Sequence, residues 1–554
     1  MTMIETIPSS SRERRVGWLD DAVIYEIYPQ SFADSNGDGI GDLRGVIDHL
    51  DHLVWLGVNT IWFNPCFASP FRDAGYDVAD FEQIAPRYGS NDDLIALCAA
   101  AEARGIRVLL DLVAGHTSIA HRWFVEESGQ AMAAGGGPVD GDRYIWRAAP
   151  ADGSDPGEPW VAPTGQRPGY YYKNFYDEQP ALNFGYARTD PDEPWRQGVD
   201  AAGPQANRAA LRQIMAFWLD RGVAGFRVDM AYSLVKDDPD REATAALWRD
   251  LFSWLRQDYP DAVLLPESDM EAPVNVGVRS GFDGDFFLVN QAAHSALFNN
   301  GGAGSLWWLP EHKHCFFDAD GSDGAGSLGK FLALWNEHLA TNGPDRRVVL
   351  GTADHDYSRL ASGNRGIEQL PAAYTFLLTW GSVPSIYYGD EIGMRYLPGL
   401  PDVEGSICYP GYNRAGCRTP MQWDDALPNA GFSEAADEAI YLPQDSDPYR
   451  PTVVAQLADS GSLLHTVRRL LSLRAATPAL GVGSDQQVLV ADYPFAYIRG
   501  GSHLVVVNPR RDPAEALVPE LGGRAVERIE GAGVDIEGTR ISAAGFGWAV
   551  FSLS

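Results

Sequence analysis

Apolar residues along the chain gather into eight short, near-continuous runs instead of alternating with polar ones. They are AVIYEIY (22–28), TIWFNP (60–65), RVLLDLV (107–113), GFRVDM (225–230), AVLLPES (262–268), DGDFFLVN (283–290), VVLGTADH (348–355) and PSIYYGDE (384–391). A strand covered on both faces reads this way, as parallel strands of α/β proteins do. Between the runs the period lengthens to that of an amphipathic helix, in LRGVIDHLDHLVWLG (43–57), SNDDLIALCAAAEARG (90–105), NRAALRQIMAFWLDRG (207–222) and SLGKFLALWNEHLATN (327–342). Ser90 with Asp93 opens the second of these as a capping box, and Gly105 stops it. Eight such alternations, closed by SGSLLHTVRRLLSLRAA (460–476), predict an α/β chain folded as a (β/α)8 TIM barrel. The sixth helix, near QAAHSALF (291–298), carries the faintest pattern.

Two stretches break the rhythm. From His116 to Asn207 the chain is rich in Gly, Pro, Trp and Tyr, which predicts a loop-rich insertion after strand three, and a second Pro/Gly-rich stretch runs from Ile392 to Asp459. Both belong at the C-terminal face of the barrel, where long loops build binding sites. After Leu480 short alternating runs, FAYIRG, HLVVVNP and GWAVFSLS, predict a small antiparallel β domain. The expected division is a barrel over 1–116 and 188–478, an insertion over 117–187, and a C-terminal β-sandwich over 479–554.

Composition narrows the partners. The 75 acidic against 43 basic residues give a formal charge of -32, which repels nucleic acid and anionic membranes, favours a neutral or cationic ligand, and serves solubility. The start, MTMIETIPSSSRERRVGW, has no apolar signal core and no later stretch reaches spanning length, so a cytoplasmic protein is expected. Cys66, Cys98, Cys315, Cys408 and Cys417 lack metal-type spacing and suit reduced thiols, with a Cys408–Cys417 pairing the lesser alternative.

Candidate chemistry lies where polar residues interrupt the strand ends. Asp111, Asp229, Glu267, Asp356 and Asp390 sit at or just beyond them, so carboxylates are expected on one rim, as glycoside cleavage requires. Arg227 and Asp229 stand two apart on a strand and share a face, which would hold Asp229 ionised as a nucleophile. Glu267 follows an apolar run and a proline, and partial desolvation would raise it toward a general acid. For any one acid, a rim salt bridge is as good a reading. In DSNGDGIGD (34–42), Asp34, Asn36, Asp38, the Ile40 backbone and Asp42 present oxygens at alternate positions suited to Ca2+ or Mg2+. Gly45 stands where an EF-hand has glutamate, and a polar turn is the plain alternative.

These residues carry a resemblance. AVIYEIYPQSFADSNGDGIGDLRG, SPFRDAGYDVADF, DLVAGHTS, GFRVDM, LLPES, DHDYSR, IYYGDEIGM and RTPMQW occur in order, and over nearly its full length the chain resembles the α-amylase superfamily, glycoside hydrolase family 13. It is most similar to the oligo-1,6-glucosidase and α-glucosidase branch. The resemblance implies retaining chemistry, with Asp229 as nucleophile, Glu267 as acid/base and Asp356 as the third carboxylate, which binds sugar hydroxyls. It implies that Arg227, His116 and His355 orient the nucleophile and the glucosyl ring. Tyr76 would form the platform under the sugar, Asp73 would close that end, and Arg418 would pair near Asp73. The 34–42 loop resembles the first-loop metal site of the branch.

Hydrolysis of short α-glucosides from the non-reducing end is the function this implies. The alternatives are a transglycosylase or isomerase, trehalose synthase-like or sucrose-acting, and more remotely a non-catalytic barrel like those that accompany amino-acid transporters. Four positions depart from the family pattern: Gly115 and Asp354 stand where asparagine is usual, Ala181 where aspartate is common, and Met230 follows the nucleophile. Gly115 lacks an oxygen that many α-amylases give to calcium, so no second metal is expected. Asp354 adds a carboxylate beside Asp356, which could raise a neighbouring group or favour an amine-bearing aglycone.

Overall fold

The computed structural model describes residues 16–129, 141–267, 279–287, 292–298, 315–318, 328–342, 347–363, 365–407 and 412–554. All eight apolar runs form strands: β1 (Ile24–Ile27), β2 (Thr60–Phe63), β3 (Arg107–Val113), β4 (Gly225–Asp229), β5 (Val263–Pro266), β6 (Asp285–Phe287), β7 (Val348–Gly351) and β8 (Val383–Tyr387). They pair in parallel in the order β5-β4-β3-β2-β1-β8-β7-β6. At the seam between the two ends, Asp283 donates its amide to Leu264 O at 3.1 Å and accepts the Leu264 amide on its carboxylate at 2.9 Å. The result is a nearly closed TIM barrel.

A strand inside a barrel turns alternate residues inward, and here the inward row changes character along its length. Ile24, Trp62, Leu109 and Leu265 belong to an apolar cluster with Phe286, Val349 and Val383. Two residues further along the same strands come Glu26, Asn64, Asp111 and Glu267. Each polar side chain thus stands on an apolar layer that excludes water from below.

Helices cover the barrel. The expected capping box at Ser90 is present over Asn91–Glu102, with both reciprocal bonds made, and Gly105 follows at φ 75°. The run 43–57 is two helices, Leu43–Asp48 and Leu50–Leu56, broken at His49, which leaves the helical region. The faint sixth helix is present as Ala292–Phe298. After β3 the chain forms a helix, Arg122–Gly129, and a three-stranded sheet of Trp146–Arg147, Tyr170–Tyr172 and Trp160–Val161.

The C-terminal residues fold into one six-stranded antiparallel sheet: β9 (Gln486–Val490), β10 (Phe495–Arg499), β11 (His503–Val507), β12 (Ala514–Leu517), β13 (Val526–Glu537) and β14 (Arg540–Leu553). Phe495 and Tyr497 lay their rings against Trp380 at 5.6 and 5.1 Å, which fixes this sheet to the barrel. Among the described residues no helix is long and apolar enough to cross a membrane. Cys66, Cys98, Cys315 and Cys417 are buried free thiols, and Cys408 lies outside the described residues.

Candidate active site

Period-two geometry brings Arg227 and Asp229 to the same face of β4, as their spacing predicts. Arg227 Nη1 lies 3.1 Å from Asp229 Oδ1 and 2.9 Å from Asp111 Oδ1, while its Nη2 lies 2.9 Å from Glu267 Oε2. One guanidinium therefore serves three carboxylates. Met230 donates its amide to Glu267 Oε2 at 2.9 Å from a left-handed conformation, φ 41°. That turn after Asp229 ties the end of β4 to Glu267 beyond β5.

The electrostatics differ from the expectation of an ionised Asp229. Burial first, and then the charge of Glu267, push the Asp229 carboxyl well above its ordinary range, against the pull of Arg227. The reason is arithmetic: a single cation cannot neutralise Asp111, Asp229 and Glu267 together. The raised carboxyl is that of Asp229, which shares the Arg227 guanidinium with Asp111 and Glu267.

Asp356 is treated in the opposite way. Its Oδ1 accepts from Arg414 Nη1 and Arg418 Nη2, each at 3.0 Å, and its Oδ2 lies 3.3 Å from His355 Nε2. Burial opposes its charge, but His355, Arg414 and Arg418 hold the carboxyl well below the usual carboxylate range. His355 also touches Tyr76 Oη at 2.7 Å through Nε2 and Glu26 Oε1 at 2.8 Å through Nδ1. Burial would lower the ring, yet Asp356 and Glu26 bring it up to about 10. Tyr76 Oη in turn donates to Asp111 Oδ2 at 3.0 Å.

The end of the pocket corrects one expectation. Arg414, not Arg418, reaches Asp73: its Nη2 lies 2.9 Å from Asp73 Oδ1 while its Nη1 holds Asp356. Gln179 Nε2 donates to the other Asp73 oxygen at 2.8 Å. Arg418 is spent on Asp356 and on the His355 carbonyl, 2.7 Å from its Nε. Both arginines lie within four residues of each other, and only the short 3-10 turn Arg414–Cys417 decides which side chain faces Asp73. Asp390 is not part of the cluster; it bonds to Arg359 at 3.2 Å.

His116 accepts no charge. Burial pushes it down to about 4, and its ring nitrogens meet Tyr76 O at 3.2 Å and Asn174 Nδ2 at 3.0 Å. Beside it, a Cβ on Gly115 would stand 2.9 Å from Ser233 Oγ and 3.1 Å from Asn174 Nδ2, so those side chains take the room an asparagine would need. Lys236, buried, donates to Asn174 Oδ1 at 2.9 Å and Ser233 O at 2.6 Å, and burial pushes its amine down to about 7. Asp354 accepts the Asp356 amide at 2.9 Å, and burial pushes its carboxyl up to about 8.

In the 34–42 loop, Asp34 accepts the amides of Asn36, Gly37 and Gly39, and Asp42 accepts those of Ser35 and Gly45. No cationic side chain pairs with Asp34, Asp38 or Asp42 among the described residues. Three carboxylates, an amide oxygen and a main-chain carbonyl suit a hard cation, although among the described residues no three His, Cys, Asp or Glu side chains gather as a metal site.

Asp111, expected on the rim, is joined there by Glu26, Asn64, Gln179 and Arg414, which carried no signal of their own in the sequence. The description "Alpha amylase, catalytic domain" matches residues 26–265 and 328–483. A probable alpha-glucosidase of Rhizobium meliloti is 31% identical, with 96% of each chain covered. The trehalose synthase/amylase of Mycolicibacterium smegmatis is 32% identical over 87% of this chain and 80% of its own. The trehalulose synthase of Pseudomonas mesoacidophila shares the fold, with a TM-score of 0.77 at 24% identity over 97% of this chain and 99% of that one. With the matched segments carrying Asp111, Asp229 and Asp356, the chain belongs to the α-amylase family, glycoside hydrolase family 13.

Proposed function

We propose that this enzyme takes a glucosyl group from the non-reducing end of a short α-glucoside, holds it on Asp229, and passes it to a sugar acceptor as a transglycosylase or isomerase. The observation that carries this reading is the Arg414 bridge between Asp73 and Asp356, which ties two buried acids of the site together and would close it at the Asp73 end. Glu267 gives a proton to the glycosidic oxygen as the C1–O bond breaks, and Asp229 bonds to C1. Glu267 then takes the proton of the acceptor hydroxyl as that oxygen displaces Asp229, so the anomer is retained. Asp356 and His355 hold the sugar hydroxyls.

Support for transfer comes from relatives described as trehalose synthases at 31–32% identity, and from a nucleophile only 6% exposed. The second reading is hydrolysis, as in an exo-acting α-glucosidase; the rhizobial relative matched along its whole length favours it. Incubation with maltose, isomaltose, trehalose and sucrose tests both. A new disaccharide formed from a single substrate is expected, and free monosaccharides as sole products would leave only hydrolysis. Failure to cleave any of them would sink both.

We also propose that Asp34, Asn36, Asp38, Ile40 O and Asp42 hold Ca2+ or Mg2+. The ion would tie the first loop to the segment after β8, where Tyr441 already donates to Gly39 O at 2.8 Å. A rise in Tm with either cation, lost in Asp38→Ala, is the expected result; an unchanged Tm would refute it.

A further inference from the structure

Glu26 is fully buried inside β1 and far from the reacting pair in the chain, yet it faces the same polar layer. Its Oε1 is 2.8 Å from His355 Nδ1 and accepts from Asn64 Nδ2 at 3.1 Å, and its Oε2 is buried with no partner among the described residues. A buried carboxylate oxygen without a protein partner costs stability, so a purely structural residue here would be better as an apolar side chain. We propose that Glu26 is a positioning residue of the reaction, which keeps the His355 ring doubly protonated and so sets the direction of every hydrogen bond from Asp356 to Arg227. The inference rests on the proposed glucosyl chemistry.

The argument follows the donors. An ionised carboxylate only accepts, so Nδ1 donates to Glu26. The other ring nitrogen faces Asp356 Oδ2 at 3.3 Å and Tyr76 Oη at 2.7 Å, and it donates there. Tyr76 Oη, accepting from His355, sends its own hydrogen to Asp111 Oδ2 at 3.0 Å. Asp111 accepts from Arg227, which reaches Asp229 and Glu267. A row of hydrogen bonds thus runs from the sugar-binding carboxylate to the catalytic pair, and the charge on its first ring comes from Glu26.

The groups facing His355 are few. Glu26 approaches from β1, Asn64 from the end of β2, Asp111 through Tyr76, and Asp354 and Asp356 from its own segment. Arg418 meets its carbonyl at 2.7 Å. Anions outnumber the arginine, which agrees with a ring held up to about 10. The competing arrangement is a neutral ring whose Nδ1 accepts from Asn64 Nδ2, 2.9 Å away.

Glu26→Gln keeps the shape and removes the charge; Glu26→Asp keeps the charge and shortens the reach. In kcat/KM profiles on a p-nitrophenyl α-glucoside, the alkaline limb of Glu26→Gln should move down by about one pH unit or more, which is a tenfold relative loss on that limb. The loss should vanish below pH 6, and Glu26→Asp should keep the wild-type limb at a lower rate throughout. A uniform loss with no shifted limb would overturn the inference. The second readout needs no turnover: with 13C-labelled histidine, the His355 signal of the wild type should stay that of an imidazolium at pH 8.5, and in Glu26→Gln it should not. A neutral wild-type ring at that pH refutes the role of Glu26, whereas a wild type that cleaves no α-glucoside refutes the proposed function.

Discussion

Asp229 is paid for in stability. Its carboxyl is pushed well above the ordinary range by burial and by Glu267, so the ionised form is disfavoured in the fold and its cost falls at pH values above its unfolded range. Asp229→Asn removes that cost together with the nucleophile. The expected outcome is a loss of turnover of roughly 10^4-fold or more, with Tm at pH 7 equal to or above that of the wild type. A variant with measurable turnover near the wild-type level would remove Asp229 from its role. Arg414 is the other test at this scale. Arg414→Lys offers one point charge in place of a fork, which cannot reach Asp73 and Asp356 together. KM for disaccharides should rise and kcat/KM should fall by about 10^2, whereas Arg418→Lys should leave Asp73 bound and affect KM less.

At the scale of elements, the distance between the two catalytic carboxyls depends on how closely β4 lies beside β5. Gly225 opens β4, and a Cβ there would stand 2.0 Å from Val263 O on β5. Gly225→Ala must therefore push the strands apart at the end opposite the site. A fall in kcat of one to two orders of magnitude, with a lower Tm, is the expected result; steady-state kinetics beside a thermal melt would check it. Strands and helices were legible because their periodicity is local: a buried parallel strand is apolar throughout, and the Ser90 capping box needs four residues in a row. The break at His49 was not, because the run 43–57 keeps an apolar face on both sides of it. Arg418 in place of Arg414 as the partner of Asp73 has the same kind of cause. The pair spans 341 positions, and a turn of a few residues rotates one arginine toward Asp73 and the other away.

For the molecule as a whole, buried histidines set the acid limit. His116 and His294 are pushed down to about 4 and His121 to about 3, each mainly by burial. An unfolded histidine binds its proton near pH 6.5, so between 6.5 and 4 the unfolded state binds more protons and stability falls as pH falls. His355 has the opposite sign: raised to about 10, it contributes stability below pH 6.5 that is lost as pH rises toward 10. Chemical denaturation from pH 4 to 10 should therefore show a maximum near neutrality. His121→Gln should flatten the acid side, and an unaltered acid side would show that this imidazole is not held neutral.

The residue types at the strand ends, their spacing and their order along the chain were sufficient to predict the barrel and, through the resemblance they carry, the family, and they put Asp229, Glu267 and Asp356 forward as site carboxylates. These follow from short-range rules of backbone period and from motifs that keep their neighbours in sequence. Only the tertiary structure decided which charges share a partner: Arg227 among three acids, Arg414 between Asp73 and Asp356, and Glu26 behind His355. Coulombic pushes act through space over a few ångströms, and residues hundreds of positions apart come within that range only once the barrel has closed.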